Sequence, residues 1–230
     1  NYSILLLISV AALIIPSMFR GAIGEATSPQ IESLSIGVAI VMIGLYVLGL
    51  IYSLKEQGSP VAPKPAIEIA HASPHWTKTQ SIILLAIATL GVVFASELLV
   101  NSVEHVITVF GISEFFLGVI LIPIIGNVAE HIVAVTMAYR NHMELSTEIA
   151  ISSSLQIALF VAPLLVFISL LMGNPLTLIF NVYEIIALGL SILITAFVAI
   201  DGESNWLEGA ALTAVYIILA ISFFFLPTGA

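Results

Sequence analysis

Glu130 and Asn127 stand three residues apart inside a long apolar stretch of the chain. Residues at this spacing share a helix face, so both side chains can present oxygen atoms to one point. Pro123 lacks an amide proton and Gly126 adds backbone freedom, so the helix is predicted to kink or break just before the acid and to release carbonyl oxygens. Hard cations such as Ca²⁺ prefer carboxylate, amide and carbonyl oxygens. The segment therefore predicts half of a cation site.

An acid in such a stretch is expected to have a specific role, because insertion of a carboxylate at the centre of a membrane helix costs about 2.5–3.5 kcal/mol of free energy on insertion scales. The alternative interpretation treats Pro123 as an ordinary kink, Asn127 as an interhelical hydrogen bond and Glu130 as a protonated structural acid. We favour the cation site. His131 points about 100° away from Glu130, where it could modulate the site, donate a structural hydrogen bond or face water. It is kept as a candidate for a proton or ion pathway, with the structural role favoured.

A second group of oxygen donors follows in the next apolar stretch, where Ser153, Ser154 and Gln156 lie inside the predicted lipid boundary. Ser153 and Gln156 share a helix face. Their oxygens could complete the shell around a cation at Glu130. Small and hydroxyl residues also let membrane helices approach closely, so helix packing is an equal alternative.

Glu97 begins a polar stripe that Asn101 and Glu104 continue at helical spacing. A stripe that ends in a deep acid predicts a water or proton path. The alternative, favoured for Glu104, is a solvated helix end. Glu184 and Asp201 are nearer to the ends of apolar stretches, where a structural role is expected.

The elements that position these side chains are predicted to be membrane-spanning helices. Of the 230 residues, 60% are apolar and 8% are charged, against roughly 45–50% and about 25% in soluble domains. Seven stretches approach the roughly 20 residues that a crossing helix needs, and they are continuously apolar rather than alternating, which favours an all-α membrane protein over a β-barrel. The predicted spans are 2–19, 32–54, 79–101, 112–139, 146–172, 178–200 and 207–226.

Charge and composition exclude several classes of protein. The formal net charge of −9 argues against an anionic partner such as nucleic acid and suits a protein that handles cations. No phosphate-binding glycine loop, zinc motif or nucleophile–base pair marks an enzyme.

Four prolines make residues 55–78 the predicted linker. If the predicted spans alternate in direction, one face of the membrane has four basic residues, Lys55, Lys64, Lys78 and Arg140, and the other face has Arg20. The positive-inside rule predicts that the face with four basic residues is cytoplasmic.

Three segments together resemble the second repeat of the Ca²⁺/H⁺ exchangers of the cation/Ca²⁺ exchanger superfamily: 126–131 (GNVAEH), 153–161 (SSLQIALFV) and 201–209 (DGESNWLEG). The resemblance implies an eleven-span fold of two inverted five-helix repeats that hold the ion at midplane. Residues 1–54 would be the last two spans of repeat one, 55–78 the cytoplasmic linker and 79–230 repeat two. The resemblance also implies that Glu130 is the cation ligand, flanked by Gly126 and Asn127. It implies that Ser153, Ser154 and Gln156 lie beside the ion path. Glu97 would take part in the access of protons or ions to the site.

The resemblance also sets functional expectations. It implies alternating-access exchange of Ca²⁺ for H⁺ across a membrane, with Ca²⁺ as transported substrate and no cofactor. The chain has only one Gly-Asn-x-x-Glu sequence where the family pattern has two. It is therefore expected to be a fragment that needs the first-repeat helices, or to pair with a second copy. The short linker suggests a prokaryotic cell membrane. Exchange of Na⁺ for Ca²⁺ or of Na⁺ (K⁺) for H⁺ remains an alternative, as does a channel subunit or a non-transporting scaffold.

Overall fold

The computed structural model describes residues 2–23, 28–55, 76–198 and 205–226, and every regular element in those ranges is helical. Five-residue π-helical turns interrupt two of the spans. They are the first π-turn, Leu117–Leu121, and the second π-turn, Ile157–Val161. The α-helices are α1 Tyr2–Ile23, α2 Pro29–Lys55, α3 Lys78–Phe110, α4 Glu114–Phe116, α5 Ile122–Gly126, α6 Val128–Tyr139, α7 Met143–Gln156, α8 Ala162–Leu171, α9 Val182–Val198 and α10 Trp206–Phe224.

The helices confirm the all-helical membrane fold class. In the ranges above, five continuous helical stretches are long and apolar enough to cross a membrane, and the bent stretch 114–139 counts as a sixth. The continuous stretches are Ile4–Ile23, Pro29–Tyr52, Lys78–Val103, Met143–Leu171 and Trp206–Phe224. Most of the predicted linker, residues 56–75, and the 201–204 part of the third matching segment lie outside the described residues.

The predicted span 178–200 is wrong at its beginning, because α9 begins only at Val182 and has 17 residues. The preceding residues, 175–181, are not helical, and hydroxyl groups from other helices accept bonds from some of their amides. Leu178 N donates to Ser35 Oγ over 3.0 Å and Phe180 N to Ser17 Oγ over 2.7 Å. A reciprocal cap between Asn181 and Glu184 then starts the helix. Glu184 thus has the structural role that its position predicted.

The predicted span 79–101 agrees with the membrane-spanning stretch Lys78–Val103. The helix that contains this stretch, α3, continues beyond it to Phe110. Thr77 and Gln80 form a capping box at its start. At its end Gly111 adopts φ +64°, a left-handed conformation that glycine accepts without a Cβ clash and that closes the helix. Asn101 therefore lies well inside the helix rather than at its solvated end.

The chain divides into two compact units. The first contains α1, α2, α6 to α9 and the beginning of α10 through Val215, and the second contains α3 to α5 and the end of α10 from Tyr216. Phe115 packs edge-on against Phe223 in the second unit. The core of the first unit joins α1, α2, the α7–α8 span and α9 through Leu6, Val10, Leu13, Ala39, Met42, Ile151, Leu155, Leu159, Val166 and Ile192.

Candidate cation site on a broken helix

The predicted break before Glu130 is present at Asn127. The axes of the helical stretches on either side of this residue differ by 55°. Asn127 itself leaves the helical conformation, with φ −99° and ψ 14°. Both its backbone N and its side-chain Nδ2 donate to Pro123 O over 3.0 Å. The amide nitrogen is thereby committed to the backbone, so Oδ1 is the atom of Asn127 that can coordinate a cation.

Pro123 does not make this break itself, because the first π-turn accommodates it. Ile122 N donates to Leu117 O, five residues earlier, instead of to Gly118 O. Pro123 has no N–H with which to replace that bond. The Gly118 carbonyl therefore receives no hydrogen bond from Ile122 or from Pro123. The backbone bends three to four residues later, at Gly126 and Asn127.

Glu130 is the third residue of α6, directly after the break, and its side chain is exposed. The unsatisfied amides and the dipole at the start of a helix stabilise a negative charge there. His131 is exposed as well. Within the part of the chain that the structure describes, no three His, Asp or Glu side chains come together to hold a metal ion. Glu130 is therefore an accessible carboxylate that needs further ligands to bind a divalent cation.

A tight turn joins α6 to α7, and the two helices pack against each other. Asn141 has φ +65°, and His142 N returns to Met137 O over 2.9 Å. A connection this short makes the helices antiparallel neighbours. Glu130 precedes the end of α6 by as many residues as Ser152 follows the start of α7. With a rise of 1.5 Å per residue, both residues lie about 14 Å from the turn.

The α6–α7 hairpin contains five of the predicted site residues, namely Glu130, His131, Ser153, Ser154 and Gln156. Ser153 is half-buried, whereas Ser154 and Gln156 are exposed. Ser154 Oγ donates to Ala150 O over 3.0 Å, which leaves its oxygen lone pairs as potential ligands. Glu130 and His131 share this hairpin. Gly126, Asn127 and Glu97 belong to the second unit, and the Glu97 side chain is exposed on α3.

Sequence reasoning missed Glu148, which is only 8% exposed on α7. The available signal was its spacing, because Glu148, Ser152 and Gln156 follow one another at intervals of four residues. Its position near the predicted start of the fifth span obscured it. The two π-turns were also missed, although each is followed by a proline two residues after its end.

A polar residue at a break in a membrane helix is a feature that secondary transporters share, and this all-helical, multi-pass chain has one at Asn127 and Glu130. A family description, "Sodium/calcium exchanger protein", matches residues 80–225, and the chain belongs to this family. It is 41% identical to a Ca(2+)/H(+) antiporter from Aphanothece halophytica, over 96% of this chain and 62% of that protein. It is 40% identical to the Ca(2+)/H(+) antiporter ChaA from Bacillus subtilis (strain 168), over 98% of this chain and 64% of that protein.

A solved structure, native YfkE, superimposes with a TM-score of 0.79 at 39% identity. The match covers 98% of this chain and 62% of YfkE, so the chain spans less than two thirds of the relatives it matches. A second structure, the selenium-substituted Ca2+/H+ antiporter YfkE, gives a TM-score of 0.80 with the same coverage. The resemblance to the Ca²⁺/H⁺ exchangers is confirmed. These relatives are named as transporters, and the bacterial ones fit the expected prokaryotic cell membrane.

Proposed function

We propose that this chain belongs to a secondary transporter that exchanges Ca²⁺ for H⁺ by alternating access, with Glu130 as the group that binds both ions in turn. The observation that carries the proposal is the position of Glu130, in the first turn of α6 directly after the break at Asn127. Two relatives named as Ca(2+)/H(+) antiporters, at about 40% identity, support the choice of ions.

The chemistry is competition for one carboxylate. A proton and Ca²⁺ each neutralise the Glu130 carboxylate, so the binding of one ion releases the other. The stored energy of a proton gradient then drives Ca²⁺ transport without a nucleotide or another cofactor.

Ca²⁺ takes six to eight oxygen ligands, and Glu130 supplies at most two of them. Asn127 Oδ1, carbonyl oxygens near the break, and the hydroxyl and amide oxygens of Ser153, Ser154 and Gln156 are the proposed neighbours. A second carboxylate is needed to balance the divalent charge. We assign it to the first-repeat helices that the resemblance implies, or to a second copy of this chain.

The break at Asn127 is the proposed hinge for alternating access. Only the residues around Gly126 and Asn127 change conformation in a hinge, while the helical stretches on either side remain rigid. Asn127 leaves the helical conformation, whereas Leu121 and Ile122 just before Pro123 remain in the right-handed helical conformation. This difference supports a hinge at Asn127 rather than at Pro123.

The proposal is tested by replacing Glu130 with Gln in the intact protein. Gln keeps the size and an oxygen ligand but neither a charge nor an exchangeable acid proton. We expect complete loss of Ca²⁺ uptake driven by a pH gradient into membrane vesicles. Glu144→Gln, an exposed acid on α7, is the control and should retain normal uptake. Unchanged uptake in the Glu130 variant would defeat the site.

The family description favours one further candidate, exchange of Na⁺ for Ca²⁺. The same vesicles separate the two coupling ions. A Na⁺ gradient at equal pH on both sides drives uptake only in a Na⁺-coupled exchanger, and a pH gradient without Na⁺ drives it only in a proton-coupled one. Ca²⁺ flux that needs neither gradient would indicate a channel.

A further inference from the structure

Three serine hydroxyls from three different helices hold the non-helical segment that precedes α9. The amides of three alternate residues each donate to one of these hydroxyls. The pairs are Leu176 N to Ser169 Oγ of α8 over 2.7 Å, Leu178 N to Ser35 Oγ of α2 over 3.0 Å and Phe180 N to Ser17 Oγ of α1 over 2.7 Å. Residues 176–180 are called the strap from here on, because they tie three helices together.

The strap is packed as well as hydrogen-bonded. The Leu178 side chain is 4% exposed and belongs to the core of the first unit, and Phe180 packs against the same core. Ser35 is fully buried. The Ser17 hydroxyl also donates to Leu178 O over 3.3 Å, so it accepts from one strap residue and donates to another. The same helices therefore satisfy both polar and apolar groups of the strap.

The length of α9 places part of the strap at membrane depth. The helix has 17 residues, which extend about 26 Å at 1.5 Å per residue, less than the roughly 30 Å of hydrocarbon. For α9 to cross the membrane, the residues just before Val182 must supply the remainder. Non-helical backbone is stable at that depth only where protein or enclosed water satisfies its polar groups. The serine hydroxyls take this part for the strap amides.

The contacts of the strap lie at one end of the first unit. Ser17 is six residues before the end of α1, and Ser35 is six residues after the start of α2. Ser169 is two residues before the end of α8. The span that ends there is continuous from Met143 to Leu171, so this end is opposite the α6–α7 turn. The strap thereby links the ends of α1, α2 and α8 to the start of α9.

Resting on the proposed function, we propose that the strap is a permanent link in the transport cycle. It stays bound to α1, α2 and α8 while Ca²⁺ and protons are exchanged, so these three helices and α9 move as one body. The conformational change of alternating access then takes place elsewhere, as proposed for the break at Asn127. The rival role is a gate, in which the strap leaves the three hydroxyls in one state of the cycle.

The contacts favour a link over a gate. A gate would break three hydrogen bonds and uncover Leu178 in every cycle, and amides released at membrane depth would find no water to replace the serines. The strap also has the sequence LTLIF, with no charged side chain on which Ca²⁺ or a proton could act to drive its release. A segment that neither ion can move is suited to hold helices together.

A disulfide across the strap tests whether it must leave. Ser35 Oγ contacts Leu178 N, so the two residues are close enough to be joined as Ser35→Cys with Leu178→Cys. The 230 residues contain no cysteine that could compete. In the intact protein in vesicles, the disulfide should form with and without Ca²⁺. Proton-driven Ca²⁺ uptake of the oxidised variant should stay within about twofold of its own reduced form.

The single variants Ser35→Cys and Leu178→Cys, treated with the same oxidant, are the matched controls. Ser17→Cys with Phe180→Cys repeats the experiment at a second bond of the strap. Uptake that stops on oxidation and returns with a reductant would make the strap a gate and overturn the inference. The inference also fails if neither pair forms a disulfide in variants that transport.

Thiol labelling gives a second readout that needs no disulfide. Leu178→Cys should resist a membrane-impermeant maleimide both at rest and during proton-driven Ca²⁺ uptake, whereas Asn174→Cys, at an exposed position just before the strap, should react rapidly. Labelling of Leu178→Cys as fast as that of Asn174→Cys during uptake would contradict a permanent link. A wild type without proton-driven uptake overturns the proposed function, whereas a transporting wild type whose strap opens in these tests removes the inference alone.

Discussion

The fourth span, residues 114–139, and the fifth span, residues 143–171, each contain a π-turn followed by a proline, yet only the fourth span is bent. Each has a five-residue π-turn, and each has a proline two residues after it, Pro123 in one and Pro163 in the other. In both, the amide just before the proline donates to the carbonyl five residues earlier. The fourth span nevertheless bends by 55°, whereas the fifth continues as one stretch from Met143 to Leu171.

The difference shows that a proline preceded by a π-turn does not break a membrane helix by itself. After Pro163 the chain continues with apolar residues, and Val166 is fully buried in the core of the first unit. After Pro123 it continues to Gly126 and Asn127, where the backbone is freer and an amide side chain competes for the Pro123 carbonyl. Packing keeps one span continuous, and the Gly-Asn pair breaks the other.

The largest effect is expected when the Gly-Asn pair is moved into the fifth span. Val166→Gly with Phe167→Asn places that pair at the same distance after Pro163 as Gly126 and Asn127 are after Pro123. The double variant loses the fully buried Val166 side chain and the Phe167 ring that packs against the same core, and it gains a helix-interior glycine. Together these changes cost at least about 3 kcal/mol of unfolding free energy. Denaturant unfolding in detergent micelles measures this loss.

Leu164→Gly with Leu165→Asn is the matched control for that variant. Both leucines are exposed in the first unit, 36% and 47%, so the same residues enter the helix without loss of core packing. We expect a loss of about 1 kcal/mol, the propensity cost of one glycine. Equal losses in the two double variants would show that propensity, and not packing, keeps the fifth span continuous.

The reverse exchange, Gly126→Ala with Asn127→Leu, should reduce transport more than stability. Ala and Leu favour a continuous helix, and the side-chain bond from Asn127 to Pro123 O disappears. Straightening the span displaces Glu130 from its neighbours, and misplacement of a reacting group by about 1 Å can cost a hundredfold in rate. Initial rates of proton-driven Ca²⁺ uptake measure the effect. A rate close to that of the wild type would mean that the break is not needed for exchange.

The sequence was sufficient to predict features that depend on local chemistry. Hydropathy located the spans because the length of an apolar stretch is a property of neighbouring residues. Gly126 and Pro123 predicted the break before Glu130, although the responsible pair proved to be Gly126 and Asn127. The left-handed conformation of Gly111, which ends α3, is also local, but a glycine in an apolar stretch does not reveal which φ it adopts.

Features that depend on distant contacts could not be predicted from the sequence. The late start of α9 rests on the Ser35 and Ser17 hydroxyls, which bond amides 143 and 163 residues further along the chain. The burial of Glu148 depends on which face of α7 packs in the first unit. The spacing of Glu148, Ser152 and Gln156 places them on one side of α7, but apolar residues occupy both sides of a membrane helix, so the spacing does not tell which side is packed. The roles of the individual site residues remain predictions for the transport measurements.

The smallest effects are expected from the prolines themselves. Pro123→Ala supplies an N–H that the helix can use, which is worth about 1 kcal/mol, and it leaves Gly126 and Asn127 to maintain the break. Proton-driven uptake should stay within about threefold of the wild type, a change of less than 1 kcal/mol in activation free energy. Pro163→Ala is the parallel variant. It gains the same donor but loses part of a fully buried ring, so its unfolding free energy should change by less than about 1 kcal/mol. If Pro123→Ala abolished uptake as fully as the Gly126 and Asn127 double variant, the proline would set the break, and the contrast between the two spans would depend on their π-turns instead.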